Sequence, residues 1–301
     1  LTDLSNEYQD KMSTIDKVLM TEYIEHLSKL HILSCAGSDG VFRIFAFDEH
    51  TRIFTSLVDS TYHQSCILKV LHYVHYSDLK HYSYTVSAAT NGCIVFWSLN
   101  SFITKLITDA LAQKSKSYTE SEKGGSSTGS GSCDDTEDGD EEEEDASGVN
   151  HRDWEPLLSL KVHQSGVNSL HILQVSESQL LLASGGDDNA VTVQLLEVSD
   201  SGMKVVAKVT KEDAHAAQVT GIHLISSTLV VSASIDQRVC VWNIKQTSGI
   251  DMQLQLMACK YISVADISSM SVYIHRNSVY LGIGGEGLCL YKLGTEDVIS
   301  Q

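Results

Sequence analysis

The chain has one proline, a shortage of basic residues, no long apolar run and no closely spaced cysteine pair among its 301 residues. Each absence excludes something. Lys and Arg number 21 against 39 Asp and Glu, and the net charge is −18. Ten carboxylates lie between Asp134 and Asp145 with no Lys or Arg among them, and removing these ten from −18 leaves −8. A chain without a global basic excess does not bind nucleic acid unaided through its net field, although a local basic patch stays open. The seven cysteines, Cys35, Cys66, Cys93, Cys133, Cys240, Cys259 and Cys289, form no C-x-x-C pair and mostly fall in strand-like runs such as Val239-Cys240-Val241. That pattern suits buried thiols in a reducing compartment better than disulfides or zinc. No apolar run nears the ~18 residues of a membrane span, and no charged-then-apolar leader opens the chain, so no membrane insertion is expected. Because the first residue is Leu1 rather than Met, the sequence reads as a piece of a longer protein. Helical periodicity is scarce, with Leu19–Leu27 and Ser101–Leu111 the two candidate helices. Pro156 stands where the chain returns into a strand, Leu157 to Leu160, a tolerated place for proline.

What is present is repetition. Five times a short strand ends in a turn, and an alternating strand follows that closes on an aromatic residue or a replacement for one. The clearest copy is Val231-Ser232-Ala233-Ser234-Ile235-Asp236-Gln237-Arg238-Val239-Cys240-Val241-Trp242. Anchored on Asp236, the copies give Asp39, Asn91, Asp188, Asp236 and Gly285, with Phe45, Trp97, Gln194, Trp242 and Tyr291 six residues downstream. Successive anchors are 52, 97, 48 and 49 residues apart. A period of roughly 40–50 residues with a Trp-closed strand predicts an all-β fold of WD-type β-propeller blades. The doubled interval holds a Gly/Ser-rich run, Gly124 to Ser132, followed by the acidic run; with little apolar to bury, this segment is expected to be a disordered loop that interrupts the propeller. The organisation expected is two blades in 1–107, an insertion at 108–150, and three blades in 151–301, with about five recognisable blades in all.

The third and fourth copies share H-x3-V-x2-[L/I]-H-[I/L], at His163 to Ile172 and His215 to Leu224. In such blades a His entering the inner strand, a Ser on the second strand, an Asp in the next turn and a closing Trp form one buried hydrogen-bonded set. The residues expected to form it are His215, Ser232, Asp236 and Trp242 in the fourth blade and His163, Ser184 and Asp188 in the third. Gln194 replaces Trp there, so the third blade should be weaker. Ser, His and Asp together invite a hydrolase reading. Their recurrence in successive blades identifies them instead as packing elements, since a nucleophile needs a cleft and an oxyanion site. No catalytic, cofactor-binding or metal residue is expected. Gly282-Ile283-Gly284-Gly285-Glu286-Gly287 superficially resembles a nucleotide-binding turn, but a strand follows it where such a turn needs a helix. His72, His75 and Asp78 lack the further ligands of a closed metal site, and the stretch from His72 to Tyr82 reads as an elongated inter-strand loop. Its tyrosines and Lys80 offer an alternative, stacking on nucleobases at an edge of the propeller.

Beyond the generic pattern, Val162 to His171, Ala214 to Gly221, Val231 to Arg238 and Gly284 to Leu288 resemble the C-terminal region of the WD repeat-containing protein 6 family. The matching motifs span roughly residues 156–294; residues 30–100 agree in blade pattern only. The resemblance implies a large cytoplasmic multi-propeller protein that is not itself an enzyme. It implies the adaptor of an FtsJ-type tRNA 2′-O-ribose methyltransferase acting on the wobble nucleotide, with tRNA in the complex and S-adenosylmethionine, the only cofactor expected, held by the partner. The fold alone supports an alternative, a generic WD scaffold such as a ligase substrate receptor or trafficking platform.

Overall fold

The computed structural model describes residues 30–76, 81–100, 104, 154–199, 202–246, 251–276 and 278–294. Over these residues the fold is all-β, as the repeats predict, and is built from five antiparallel sheets whose strands follow one another in chain order. The first sheet joins β1 (Leu30–Ala36), β2 (Phe42–Asp48) and β3 (Ile53–Ser60). In the second are β4 (Ile67–Tyr76), β5 (His81–Ala89), β6 (Cys93–Ser98) and β7 (Leu158–Lys161). The third contains β8 (Val167–Ser176), β9 (Gln179–Gly186), β10 (Val191–Ser199) and β11 (Gly202–Lys211). β12 (Val219–Ser226), β13 (Leu229–Ser234), β14 (Arg238–Gln246) and β15 (Met252–Tyr261) form the fourth, and β16 (Ala265–His275) pairs with β17 (Ser278–Lys292) in the fifth. Strand β7 follows the acidic segment in sequence yet pairs with β6, Phe96 lying opposite Leu158 and Cys93 opposite Lys161. The insertion therefore falls between the third and fourth strands of one sheet.

Local chemistry sets the turns. At four of the five anchors, the side-chain oxygen accepts a hydrogen bond from the amide two residues on: Val41 to Asp39 (3.1 Å), Cys93 to Asn91 (3.0 Å), Ala190 to Asp188 (3.3 Å) and Arg238 to Asp236 (2.9 Å). The residue between them is left-handed each time, with φ of 74° at Gly40, 78° at Gly92, 62° at Asn189 and 64° at Gln237. An Asp or Asn that mimics a backbone turn through its own side chain, followed by a residue at positive φ, is what permits so tight a reversal.

At the fifth anchor the expectation fails. Gly285 does not mark a turn; β17 runs straight through it, and Ser278 to Glu286 pair with His275 to Ala265 of β16. Glycine has no side chain to close the turn. It is required there because a Cβ would lie 2.5 Å from the Ala265 carbonyl oxygen. The Gly282 to Gly287 stretch is therefore strand, with no nucleotide-binding turn. A second correction concerns His72 to Tyr82, read as an elongated loop. Most of it is strand, because His72 to Tyr76 end β4 and pair with His81 to Thr85 of β5, and alternating aromatic and β-branched side chains suit a pleated surface. The two candidate helices lie outside the described residues, apart from Thr104, which is helical. Among the described residues no helix is long and apolar enough to cross a membrane.

The core lies between neighbouring sheets. Phe42, Ile44 and Val58 of the first sheet pack against Ile67, Val95 and Trp97 of the second. Val86 and Phe96 of the second meet Leu170, Ile172 and Leu182 of the third. Leu181, Val193 and Leu195 of the third meet Leu224, Val230 and Trp242 of the fourth. Val231, Val239 and Val241 of the fourth meet Ile267, Leu281 and Ile283 of the fifth. Adjacent residues such as Leu181 and Leu182 thus serve opposite neighbours, and with both sheet faces buried the strands read as unbroken apolar runs.

Candidate functional site

In the fourth sheet the four expected residues meet. His215, just before β12, places Nδ1 3.2 Å from Asp236 Oδ2 and Nε2 2.8 Å from Ser232 Oγ, and the Trp242 indole N–H donates to the same Ser232 oxygen at 2.8 Å. The Ala216 amide donates to Asp236 Oδ2 at 2.8 Å. One proton arrangement satisfies every member: Trp242 donates to Ser232, Ser232 donates to Nε2, and the imidazole donates from Nδ1 to Asp236. It requires a neutral ring. Burial does hold the His215 pKa below its ordinary value, against the opposing pull of the Asp236 charge. Burial also disfavours the Asp236 charge, but the Ala216 amide, the imidazole and the Arg238 amide outweigh it and keep the carboxyl below its usual range. Ser232 is fully buried and His215 is 4% exposed. No substrate reaches a hydroxyl in that position, so the arrangement ties strand to turn to loop and offers no exposed nucleophile.

The third sheet assembles His163, Ser184 and Asp188 in the same way, with Nδ1 to Asp188 Oδ1 at 2.9 Å, Nε2 to Ser184 Oγ at 2.8 Å, and the Gln164 amide on Asp188 Oδ2 at 2.8 Å. Gln194, in the Trp position, leaves its Oε1 buried without a hydrogen-bond partner. In the second sheet the sequence reading located Asn91 and Trp97 but missed their companions. His63 Nε2 lies 2.7 Å from Ser87 Oγ, and the Trp97 indole donates to that oxygen at 2.7 Å. Ser87 precedes its anchor by four residues, as Ser184 and Ser232 precede theirs, and that offset was the available signal. His63 was hidden because it stands 28 residues ahead of its anchor, against 25 for His163 and 21 for His215. With Asn91 in place of a carboxylate, nothing offsets burial, and the His63 pKa falls to about 4.

The His72 to Tyr82 cluster does not converge on one point. His72 Nδ1 lies 3.1 Å from Thr85 Oγ1, whereas His75 Nε2 lies 2.6 Å from the Glu177 carbonyl oxygen. Asp78 and Lys80 lie outside the described residues. Tyr73 packs against the core between the second and third sheets, and the Tyr76 ring is exposed. Nearby, Tyr82, Tyr84, Ser98, Asn100, Leu157, Ser199 and Gly202 line a cavity of about 190 Å³ between those sheets. Burial, with Tyr82 alongside, pushes the Tyr84 phenol up to about 12. The cavity is smaller than the roughly 300–1,000 Å³ of small-molecule sites and holds no acid–base pair. Among the described residues no three His, Cys, Asp or Glu side chains are grouped to hold a metal.

Antiparallel sheets packed face to face, with a His–Ser bond recurring in three of them and joined to Asp, Trp or both, define a WD-repeat protein of the β-propeller class. A sequence model of the family "WD domain, G-beta repeat" matches residues 154–193 and 207–243. The chain is also similar to proteins named "tRNA (34-2'-O)-methyltransferase regulator WDR6". It is 31% identical over 278 residues to that of Rattus norvegicus, covering 87% of this chain and 21% of that protein. With the Mus musculus protein the figures are 30% over 276 residues, 87% and 21%, and with the Homo sapiens protein 28% over 276 residues, 87% and 22%. The chain belongs to the WDR6 family of WD-repeat proteins, as the motifs from Val162 onward imply. The chain spans about a fifth of the length of the relatives it matches.

Proposed function

We propose that this chain is part of a non-catalytic WD-repeat scaffold that regulates a tRNA 2′-O-ribose methyltransferase of the FtsJ type, acting at the wobble nucleotide in the cytoplasm. The observation that carries the reading is the 28–31% identity, over 87% of the chain, to proteins whose printed name is that of a tRNA (34-2'-O)-methyltransferase regulator. The geometry supports a non-enzymatic role, because the recurring Ser and His side chains are buried and bonded to each other, with the His tied in turn to the Asp of the following turn. On this reading the methyl donor, S-adenosylmethionine, is bound by the partner enzyme, and tRNA enters through the complex.

The test is affinity capture of the protein from cytoplasm, with identification of bound protein and RNA, joined to mapping of ribose methylation at tRNA position 34 after its deletion. A co-purifying ribose methyltransferase with tRNA, and loss of that methyl group on deletion, is the expected result. Capture of a ligase or a coat complex with position 34 methylated as before would overturn the proposal in favour of a general protein-assembly scaffold.

A further inference from the structure

Strands β14 and β15 place two cysteines directly opposite each other, Cys240 and Cys259. Their sulfurs are 3.1 Å apart, a distance at which one thiol donates to the other. Cys240 is 2% exposed and packs with Trp242 and Ile244 on the face toward the third sheet, while Cys259, on the outer strand, is exposed to solvent. Among the described residues no other two cysteines are in such contact.

Opposed residues on antiparallel strands have Cα atoms about 4.5–5.5 Å apart, inside the window that a disulfide tolerates. Bringing the sulfurs to the ~2.05 Å of a bond requires about 1 Å of closure. The strand beside the pair is already irregular, since the β14–β15 register shifts between Val241 and Trp242. A bulge of this kind gives local freedom that a regular ladder lacks.

We propose that Cys240 and Cys259 form a modification site, a hydroperoxide-reactive dithiol that closes to a reversible cross-strand disulfide. The exposed Cys259 reacts first. Its thiolate attacks a peroxide oxygen, the O–O bond breaks, and the sulfur becomes a sulfenic acid as the other oxygen leaves, as water when the oxidant is hydrogen peroxide. Cys240 then attacks the Cys259 sulfur, giving up its own proton, and the S–OH bond breaks to release a second water. Two electrons pass from sulfur to peroxide, and two thiols and one peroxide become one disulfide and two waters. Burial, and then the neighbouring Cys259, hold the Cys240 thiol above its ordinary range, which suits a resolving thiol that is inert until its neighbour is oxidised. A dithiol reductant reopens the bond by exchange at the exposed sulfur. Closure pins the outer strand of the fourth sheet to the strand that carries Trp242, one residue from Lys260, whose ammonium reaches the Tyr291 hydroxyl of the fifth sheet at 3.0 Å.

The experiment is brief exposure of the folded chain to hydrogen peroxide, quenching with an alkylating agent, and trypsin digestion with mass spectrometry. Cleavage after Arg238, Lys245 and Lys260 separates Val239–Lys245 from Gln246–Lys260, each with one cysteine. A linked pair of these peptides, two hydrogens lighter than their sum and absent after dithiothreitol, is the expected product. In Cys240→Ser, Cys259 should stop at the sulfenic acid, so that its dimedone adduct rises several-fold over the parent; in Cys259→Ser, Cys240 should stay unmodified. Equal dimedone labelling of Cys259 in the parent and in Cys240→Ser, without the linked peptide, would overturn the proposal. So would preferential linkage of either residue to another cysteine.

Discussion

Ser232→Ala removes one oxygen atom and leaves two buried groups without partners. In the folded chain Ser232 Oγ accepts from the Trp242 indole at 2.8 Å and sits 2.8 Å from His215 Nε2. Ser232 is fully buried and Trp242 is 2% exposed, so water cannot take the place of the hydroxyl. An orphaned buried donor or acceptor costs about 1–3 kcal/mol, and two of them about 2–6 kcal/mol, with no cavity larger than a hydroxyl to add. Against a total stability of roughly 5–15 kcal/mol that is a severe loss. The third sheet provides the internal control. Ser184 has the same bond to His163, and with Gln194 at the Trp position no indole donates to it, so Ser184→Ala orphans one group and should cost about half as much. Equilibrium urea unfolding, read as midpoint and slope for each variant, measures both costs. The comparison closes with Trp242→Phe: in that background, with the indole N–H gone, Ser232→Ala should cost about as much as Ser184→Ala does alone. Equal losses for the two serines in the parent chain, or an unchanged cost in the Trp242→Phe background, would refute the claim that Ser232 joins Trp242 and His215 into one unit.

Gln194→Met keeps the volume but removes the unpaired Oε1, and should raise stability by about 1 kcal/mol in the same urea assay. Gly92→Ala puts a Cβ at a φ of 78° and 2.1 Å from the His163 carbonyl oxygen, and should cost about 2 kcal/mol or more and lower the melting temperature. His63 has its folded pKa depressed from 6.5 to about 4 by burial, so the unfolded chain binds the extra proton. Its contribution, on the order of 2 kcal/mol after allowance for the solvent near the ring, is complete above about pH 6.5 and is lost as pH falls toward 4. Asn91→Asp should raise the His63 pKa, as followed by the imidazole proton shifts in NMR, because a carboxylate favours the charged ring.

How much of this was legible beforehand depended on distance along the chain. The turns were readable at Asp39, Asn91, Asp188 and Asp236, because a side chain that bonds the amide two residues on acts within its own segment. His215 and Ser232 could be paired with Asp236 and Trp242 because two copies repeat the same offsets. His63 could not be paired with Ser87, since hairpins of different length move the histidine without altering its place in space. Gly285 misled for a related reason. A glycine that frees a turn and a glycine that admits a neighbouring backbone look the same in sequence, and only the Ala265 carbonyl distinguishes them. Likewise an apolar run such as Leu180 to Ala183 announces burial but not its direction. Packing alone sends Leu181 toward the fourth sheet and Leu182 toward the second, and brings Cys240 to face Cys259 across a hairpin. The sequence by itself thus determined the repeat, the strand and turn chemistry and the members of the buried sets whose spacing recurs, because those are local bonds. Which neighbour covers each face, and which distant side chains meet, was decided by the tertiary structure, because burial is shared between sheets that lie some fifty residues apart along the chain.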